Sequence, residues 1–163
     1  LVQCDAPLDP WNVARVLQVI VQREQPDLVL MGKQAVDDDA SQAGPFLAAL
    51  LDWPQATFAS KVELTDDAIR VDRETDRGIE TIRVTRPAVV TTDLRLNEPR
   101  YASLPSILKA RKKPIEELPL ESLDLTLEPR TRIIDLEAPS QLRTCQRVDS
   151  VDQLADALVE VLP

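Results

Sequence analysis

The run Leu28-Val29-Leu30-Met31-Gly32 does most to limit the folds open to this chain. It is apolar without alternation and closes on glycine, the pattern of a short strand buried on both faces in a parallel sheet. A helix precedes it. Asp9-Pro10 supplies an N-cap followed by a proline where the missing N–H costs nothing. Val13, Val16, Leu17, Ile20 and Val21 then share one helical stripe, which Pro26 ends. A helix feeding a buried strand is half of a doubly wound α/β repeat. Pro87-Ala88-Val89-Val90-Thr91-Thr92 returns to the same buried pattern further on.

Between these two runs the period changes. Pro45 to Leu51 suits a short helix closed by Asp52-Trp53-Pro54. Thr57–Leu64, Ala68–Glu74 and Ile79–Thr85 alternate apolar with polar residues, as strands with one wet face do. Thr65-Asp66-Asp67 and Asp76-Arg77-Gly78 provide the turns. The expected fold is therefore α/β, a partial doubly wound, mainly parallel sheet with an antiparallel β-meander inserted at about residues 56–86. Leu118 to Leu127 reads as loop or linker, and Arg132 to Glu137 as one more strand. Ser150-Val151-Asp152-Gln153 fits a capping box opening a last helix on Val151, Leu154, Ala155, Leu158 and Val159. Residues 1–117 are expected to form the α/β domain, and 118–163 a C-terminal helical arm. The chain opens at Leu1, and its only methionine is Met31. A domain starting with a helix and a buried strand is expected to lack earlier strands, so the N-terminal portion of the fold is expected to be missing.

Composition removes whole reaction classes. The chain has no histidine, which excludes Ser-His-Asp and Cys-His catalysis and histidine metal sites. Gly32, Gly44 and Gly78 are its only glycines, so neither GxGxxG nor a P-loop can be written. A net charge of −9 repels nucleic acid. Cys4 and Cys145 form no CxxC pair and read as reduced thiols. No apolar run approaches the ~20 residues of a membrane helix, so no membrane insertion is expected.

Two segments could carry function. Met31-Gly32-Lys33-Gln34-Ala35-Val36-Asp37-Asp38-Asp39-Ala40-Ser41-Gln42-Ala43-Gly44 leaves the carboxyl end of a buried strand and runs into a helix start. Ligands of open α/β sheets bind in that crevice, and the helix N–H groups would face a phosphate there. The alternative is a solvated loop whose acids favour the positive end of the helix. Asp37, Asp38 and Asp39 suggest a divalent metal only superficially, because neighbouring residues do not share a face. The second segment runs from Arg95 to Lys113, with Pro99 and Pro105 stiffening a loop before a short helix. Leu104, Ile107 and Leu108 share a face, and Lys109, Arg111, Lys112 and Lys113 crowd the last turn. This is either a core helix with a favourable basic end or a docking surface on an acidic chain.

The two segments also carry a resemblance. LVLMGKQAVDDDASQAGPFLAALLDWPQATFASKVE resembles the nucleotide-site region of electron-transfer flavoprotein beta subunits, and PAVVTTDLRLNEPRYASLPSILKARKKPIE resembles their strand and partner-recognition loop. The similarity runs from about Trp11 to about Glu116 and continues more weakly to the C-terminus. It implies a fold of the adenine-nucleotide α-hydrolase-like type and a carrier subunit without catalytic residues of its own. The implied partners are an alpha subunit that holds most of the redox-active FAD, acyl-CoA and related dehydrogenases, and a membrane quinone oxidoreductase. The beta subunit itself would bind structural AMP, through Leu28, Leu30, Met31, Gly32, Lys33, Gln34, Asp37, Asp38, Asp39, Ala40, Ser41, Gln42 and Ala43. The phosphate would lie near Ser41, Gln42 and Ala43. Leu104 matches a leucine that anchors into the dehydrogenase. Tyr101, Ile107, Lys109, Arg111, Lys112 and Lys113 complete the recognition surface. Ser41 and Ala43 depart from an asparagine and a threonine in the family, so Ala43 can offer only its backbone N–H.

Three other readings stay open on sequence grounds. One is a bifurcating relative with a second FAD in place of AMP, though the Asp37-Asp38-Asp39 run looks more like the AMP-binding branch. The others are a stand-alone nucleotide-binding enzyme and a bare interaction module. Bacterial cytoplasm is the expected compartment, with the mitochondrial matrix as the alternative.

Overall fold

A computed structural model describes residues 1–5, 7–138, 145 and 147–161. The elements in chain order are β1 (Val2–Gln3), α1 (Pro10–Glu24), β2 (Leu28–Gly32), α2 (Ala43–Leu51), β3 (Gln55–Leu64), β4 (Ile69–Thr75), β5 (Gly78–Val84), β6 (Ala88–Thr92), α3 (Leu104–Arg111), β7 (Leu118–Pro119), a 3-10 turn (Leu120–Leu123) and α4 (Val151–Val161). The chain forms two compact units, Leu1–Arg132 and Ile133–Pro163.

The first unit is an α/β structure built on a mixed five-stranded sheet of order β2-β6-β3-β4-β5. β2 and β3 flank β6 in parallel, with Leu28 opposite Ala88 and Gly32 opposite Thr92. β3, β4 and β5 form the expected antiparallel meander. Thr65 braces its first turn, where its hydroxyl donates to Ala68 O and accepts from Ala68 N. Gly78 turns the second at φ +120°, a conformation glycine adopts without strain. β3 carries a bulge around Phe58, whose φ is +59°, and the register shifts on both of its edges there.

β6 lies inside the sheet between β2 and β3, and its alternate side chains serve two cores. Val89 joins Ala14 and Val21 of α1 with Leu47 and Ala48 of α2, packed by Val29 and Met31. Ala88 and Val90 face the other way with Ala56, Ala59, Ile69, Val71 and Val84. This explains the unbroken apolar run at residues 88–92; β2, expected to be buried on both faces, instead lies at the edge of the sheet and leaves Leu30 half exposed.

α1 begins as its sequence signals say. Asp9 Oδ1 accepts from Asn12 N at 2.9 Å, and Gln25 ends the helix in a left-handed conformation. The helix buries Asn12 and Ala14 as well as members of the apolar stripe. Asp9 does a second job, since its other oxygen accepts from Arg130 N at 2.7 Å. Asn12 Nδ2 donates to Glu128 O and Arg15 to Thr126 O, while the Arg130 guanidinium lies 4.1 Å above the Trp11 ring. Burial would raise the Asp9 pKa, but the N–H groups of Asn12, Arg130 and Thr131 hold it below its ordinary value.

The segment after Lys113 departs from expectation in two places. Leu118 and Pro119 pair in parallel with Val2 and Gln3 where a loop was expected. Arg132 to Glu137, expected to be a strand, forms no strand and pairs with nothing among the described residues, and Ile133, Ile134 and Leu136 stand exposed. β-branched composition alone does not make a strand without an edge to pair with. In the second unit α4 carries the expected cap. Ser150 Oγ accepts from Gln153 N, and Gln153 Oε1 reaches back to Asp149 N, one residue earlier than the standard box.

Candidate functional site

The parallel pairing of β2 with β6 brings both sequence-selected segments to one end of the sheet. Their first residues stay joined: Lys33 N donates to Thr92 O at 3.0 Å, and Thr92 Oγ1 donates to Met31 O at 3.2 Å.

The segment after β2 folds back on itself before α2. Asp39 N donates to Ala35 O, Asp38 Oδ1 accepts from Ala40 N, and Ser41 Oγ donates to Gln34 Oε1 at 3.0 Å. Asp39 and Ser41 both sit at positive φ, +50° and +54°. Aspartate tolerates that region; a non-glycine residue such as serine is strained there by an amount of order 1–3 kcal/mol. Gln42 occupies the N-cap position of α2 but makes no capping hydrogen bond with its side chain. The first N–H groups of α2 are therefore left without that partner, at the positive end of the helix.

A cavity of about 300 Å³ lies inside this fold-back. Met31, Gly32, Lys33, Gln34, Asp38, Ala40, Ser41, Gln42 and Ala43 line it. Leu8, just before α1, and Pro10 and Val13 of its first turn form an apolar wall of the cavity, a role the sequence pattern did not assign to them. Leu28 packs instead against the core of the meander side, and Leu30 is half exposed on β2. Asp37 and Asp39 are exposed and do not line the cavity. Among the described residues no three acidic or thiol side chains gather closely enough to hold a metal ion.

Two glycines frame the cavity for different reasons. A Cβ on Gly44 would meet Thr91 Cγ2 at 2.3 Å, so glycine there lets the first turn of α2 lie directly on β6. A Cβ on Gly32 would meet only Gln34 O, at 4.0 Å, so nothing in the chain itself crowds that position.

The segment after β6 begins with Asp93, a buried carboxylate that accepts from Lys33 Nζ at 2.7 Å and from Arg95 Nε at 2.9 Å. Hydrogen bonds from Arg95 and Lys33 hold its pKa far below the usual carboxylate range. Sequence reading passed over Asp93. Its signal was an acid directly following a fully buried strand, with a basic residue two positions on.

Beyond Arg95 the chain leaves the body of the sheet. α3 buries none of its residues. Tyr101 is fully exposed, Leu104 is 69% exposed, and Ile107 and Leu108 are also exposed. Lys109, Arg111, Lys112 and Lys113 are exposed at the end of the helix. The helix buries nothing that would make it an ordinary core element.

Comparison with known proteins gives one family. The model of the electron transfer flavoprotein domain matches residues 4–123. The beta subunit of electron transfer flavoprotein from Bos taurus is 50% identical over 154 residues, 94% of this chain and 60% of that protein. The Homo sapiens beta subunit is 49% identical over the same shares. The mitochondrial beta subunit of Arabidopsis thaliana is 48% identical over 91% of this chain and 60% of its own length. The chain thus spans about three fifths of the curated relatives it matches.

Proposed function

The chain belongs to the electron transfer flavoprotein family, and from that premise we propose that it serves as the beta subunit of a heterodimeric carrier, binding AMP as a structural nucleotide. The observation that carries this is the cavity at the carboxyl end of β2, a strand of the parallel part of the sheet, lined by the 31–43 segment up to the start of α2. Phosphate would meet the backbone N–H groups at the head of α2 and the Gln42 amide, and the Ser41 hydroxyl only on release of its bond to Gln34 Oε1. The apolar wall of Leu8, Pro10 and Val13 offers the base a surface away from water. In this reading AMP fixes a strained fold-back and takes part in no reaction. The redox step belongs to FAD held mainly by an alpha subunit, and no residue here is assigned a catalytic role.

The exposed α3 and the loop before it dock acyl-CoA and related dehydrogenases, and the carrier then delivers electrons to a membrane quinone oxidoreductase. Of the arm expected at residues 118–163, residues 118–132 belong to the first unit; α4 is the part that packs against the alpha subunit in this reading, consistent with its uncovered Val151, Leu154, Leu158 and Val159. Among the described residues no helix is long and apolar enough to cross a membrane. Bacterial cytoplasm is the compartment proposed, with the mitochondrial matrix as the alternative.

The test is mass spectrometry of nucleotides released from the intact alpha–beta complex. AMP at one equivalent beside one FAD is the expected result. Two equivalents of FAD without AMP would replace this reading with the bifurcating one, and no nucleotide besides one FAD would end the AMP assignment. Gln42→Ala should lower AMP affinity by about 1 kcal/mol, roughly fivefold, while FAD content stays unchanged.

A further inference from the structure

Among the described residues Asp93 is the buried acidic side chain, 5% exposed, and its two oxygens serve two different segments. Oδ2 accepts from Lys33 Nζ at 2.7 Å. Oδ1 accepts from Arg95 Nε at 2.9 Å and from Arg95 N at 3.1 Å. The Asp93 backbone is fixed as well, donating to Ala59 O at 2.9 Å and accepting from Leu96 N at 3.2 Å. Arg95 continues the chain of charges to Glu74 on β4. The Lys33 ammonium also lies 5.4 Å above the Phe58 ring, at the bulge of β3.

A lysine at the mouth of a nucleotide cavity would ordinarily be assigned to the phosphate. Here its charge is already committed to the floor of the sheet. A carboxylate stripped of one of two cations in such a place is left under-compensated, so the three groups hold their geometry together. The backbone of Lys33 is the first link of the fold-back, and the backbone of Arg95 is the first link of the docking loop.

We infer that Asp93 is a positioning residue that sets the 33–42 fold-back and the 94–103 loop as one unit, with Lys33 acting on the nucleotide cavity through Asp93 rather than by touching the nucleotide. For the cavity this rests on the AMP reading above; the coupling of the two segments does not.

The experiment uses the intact alpha–beta complex carrying Lys33→Met, Asp93→Asn, both together, or Lys33→Arg. AMP affinity is measured after removal of bound nucleotide, and tryptic cleavage at the exposed Arg100 is followed by mass spectrometry. Each neutralising change should weaken AMP binding on the order of tenfold, and the double variant no further than either single one. Lys33→Met should also speed cleavage at Arg100, with no AMP present, and Lys33→Arg should restore both properties. If Asp93→Asn keeps or tightens AMP while Lys33→Met loses it, Lys33 touches the nucleotide directly and the inference fails. It fails equally if the variants only melt earlier, with AMP affinity and Arg100 cleavage unchanged. A wild-type complex that binds no AMP would sink the AMP reading alone, and the effect of Lys33→Met on Arg100 would still decide the coupling.

Discussion

The segments that follow β2 and β6 start from one hydrogen bond, Lys33 N to Thr92 O, and become opposite kinds of surface. The first turns inward, closes a cavity and feeds α2, whose Leu47 and Ala48 are buried in the helix-side core. The second turns outward into α3, which buries none of its residues. Both are short helices preceded by a polar loop, and both carry leucines. Concave space between loop and helix suits a small ligand that must be surrounded. A protruding helix with a basic end suits a macromolecule that must be met briefly and released. Family membership alone does not explain how two such different surfaces can lie side by side; the opposite turns of the two segments do.

That contrast can be broken first by removing leucines. Leu47→Ala should cost about 2–5 kcal/mol of stability, because the residue is fully buried and its site is closed on several sides. Leu104→Ala should leave the melting temperature in place and instead weaken dehydrogenase docking, on the order of ten- to a hundredfold if the side chain is buried there. Thermal melts of both variants, with rates of flavin reduction by an acyl-CoA dehydrogenase, separate the two outcomes. Equal stability losses would erase the distinction between the segments.

Acid sharpens the junction between them. Asp93 has a folded-state pKa far below its ordinary value, held down by Arg95 and Lys33. Its contribution is complete above the ordinary aspartate range and is lost as pH falls from that range toward the lowered folded-state value. Stability should therefore decline on acidification below about pH 4, and Asp93→Asn should flatten that part of the curve while leaving the neutral-to-alkaline side parallel to wild type. Denaturant titrations at a series of pH values measure it.

The smallest expected effect belongs to the basic end of α3. Lys109, Lys112 and Lys113 are exposed, so neutralising each should alter association by about 0.2–1 kcal/mol at low ionic strength. The effect should fade when the Debye length shortens to ~3 Å at 1 M salt. Stopped-flow reduction at two salt concentrations tests this; a salt-independent loss would mean contact rather than steering.

The parallel strands, the meander and both helices of the first core were legible because each rests on local periodicity or on a turn residue. The absence of alternation correctly signalled burial at residues 88–92, where Val89 serves one core and Ala88 and Val90 the other, but not at residues 28–32, where β2 lies at the sheet edge and leaves Leu30 half exposed. Ala14 escaped the reading of α1 because small residues add little to an apolar stripe, although close helix packing needs them. Residues 132–137 misled because strand propensity describes a surface that fits a neighbour and cannot say whether the neighbour exists. In the candidate site the fold-back was legible as a glycine-ended strand running into a helix. The wall of Leu8, Pro10 and Val13 and the role of Asp93 were not, because each is defined by residues distant in sequence that only the sheet brings together.

The fastening of α1 to the 126–130 stretch bears on how the molecule comes to be made. The contact from Asp9 to Arg130 joins residues 121 positions apart, and that from Arg15 to Thr126 joins residues 111 apart. Closing a loop of that size carries an entropic cost that earlier, more local pairings do not meet, and long-range contacts of this kind form late. The same end of α1 supplies Pro10 and Val13 to the cavity beside β2. On a ribosome the wall of that cavity therefore acquires its final support only after nearly the whole first unit has emerged, so any ligand that needs that wall would be captured after synthesis of the sheet rather than during it.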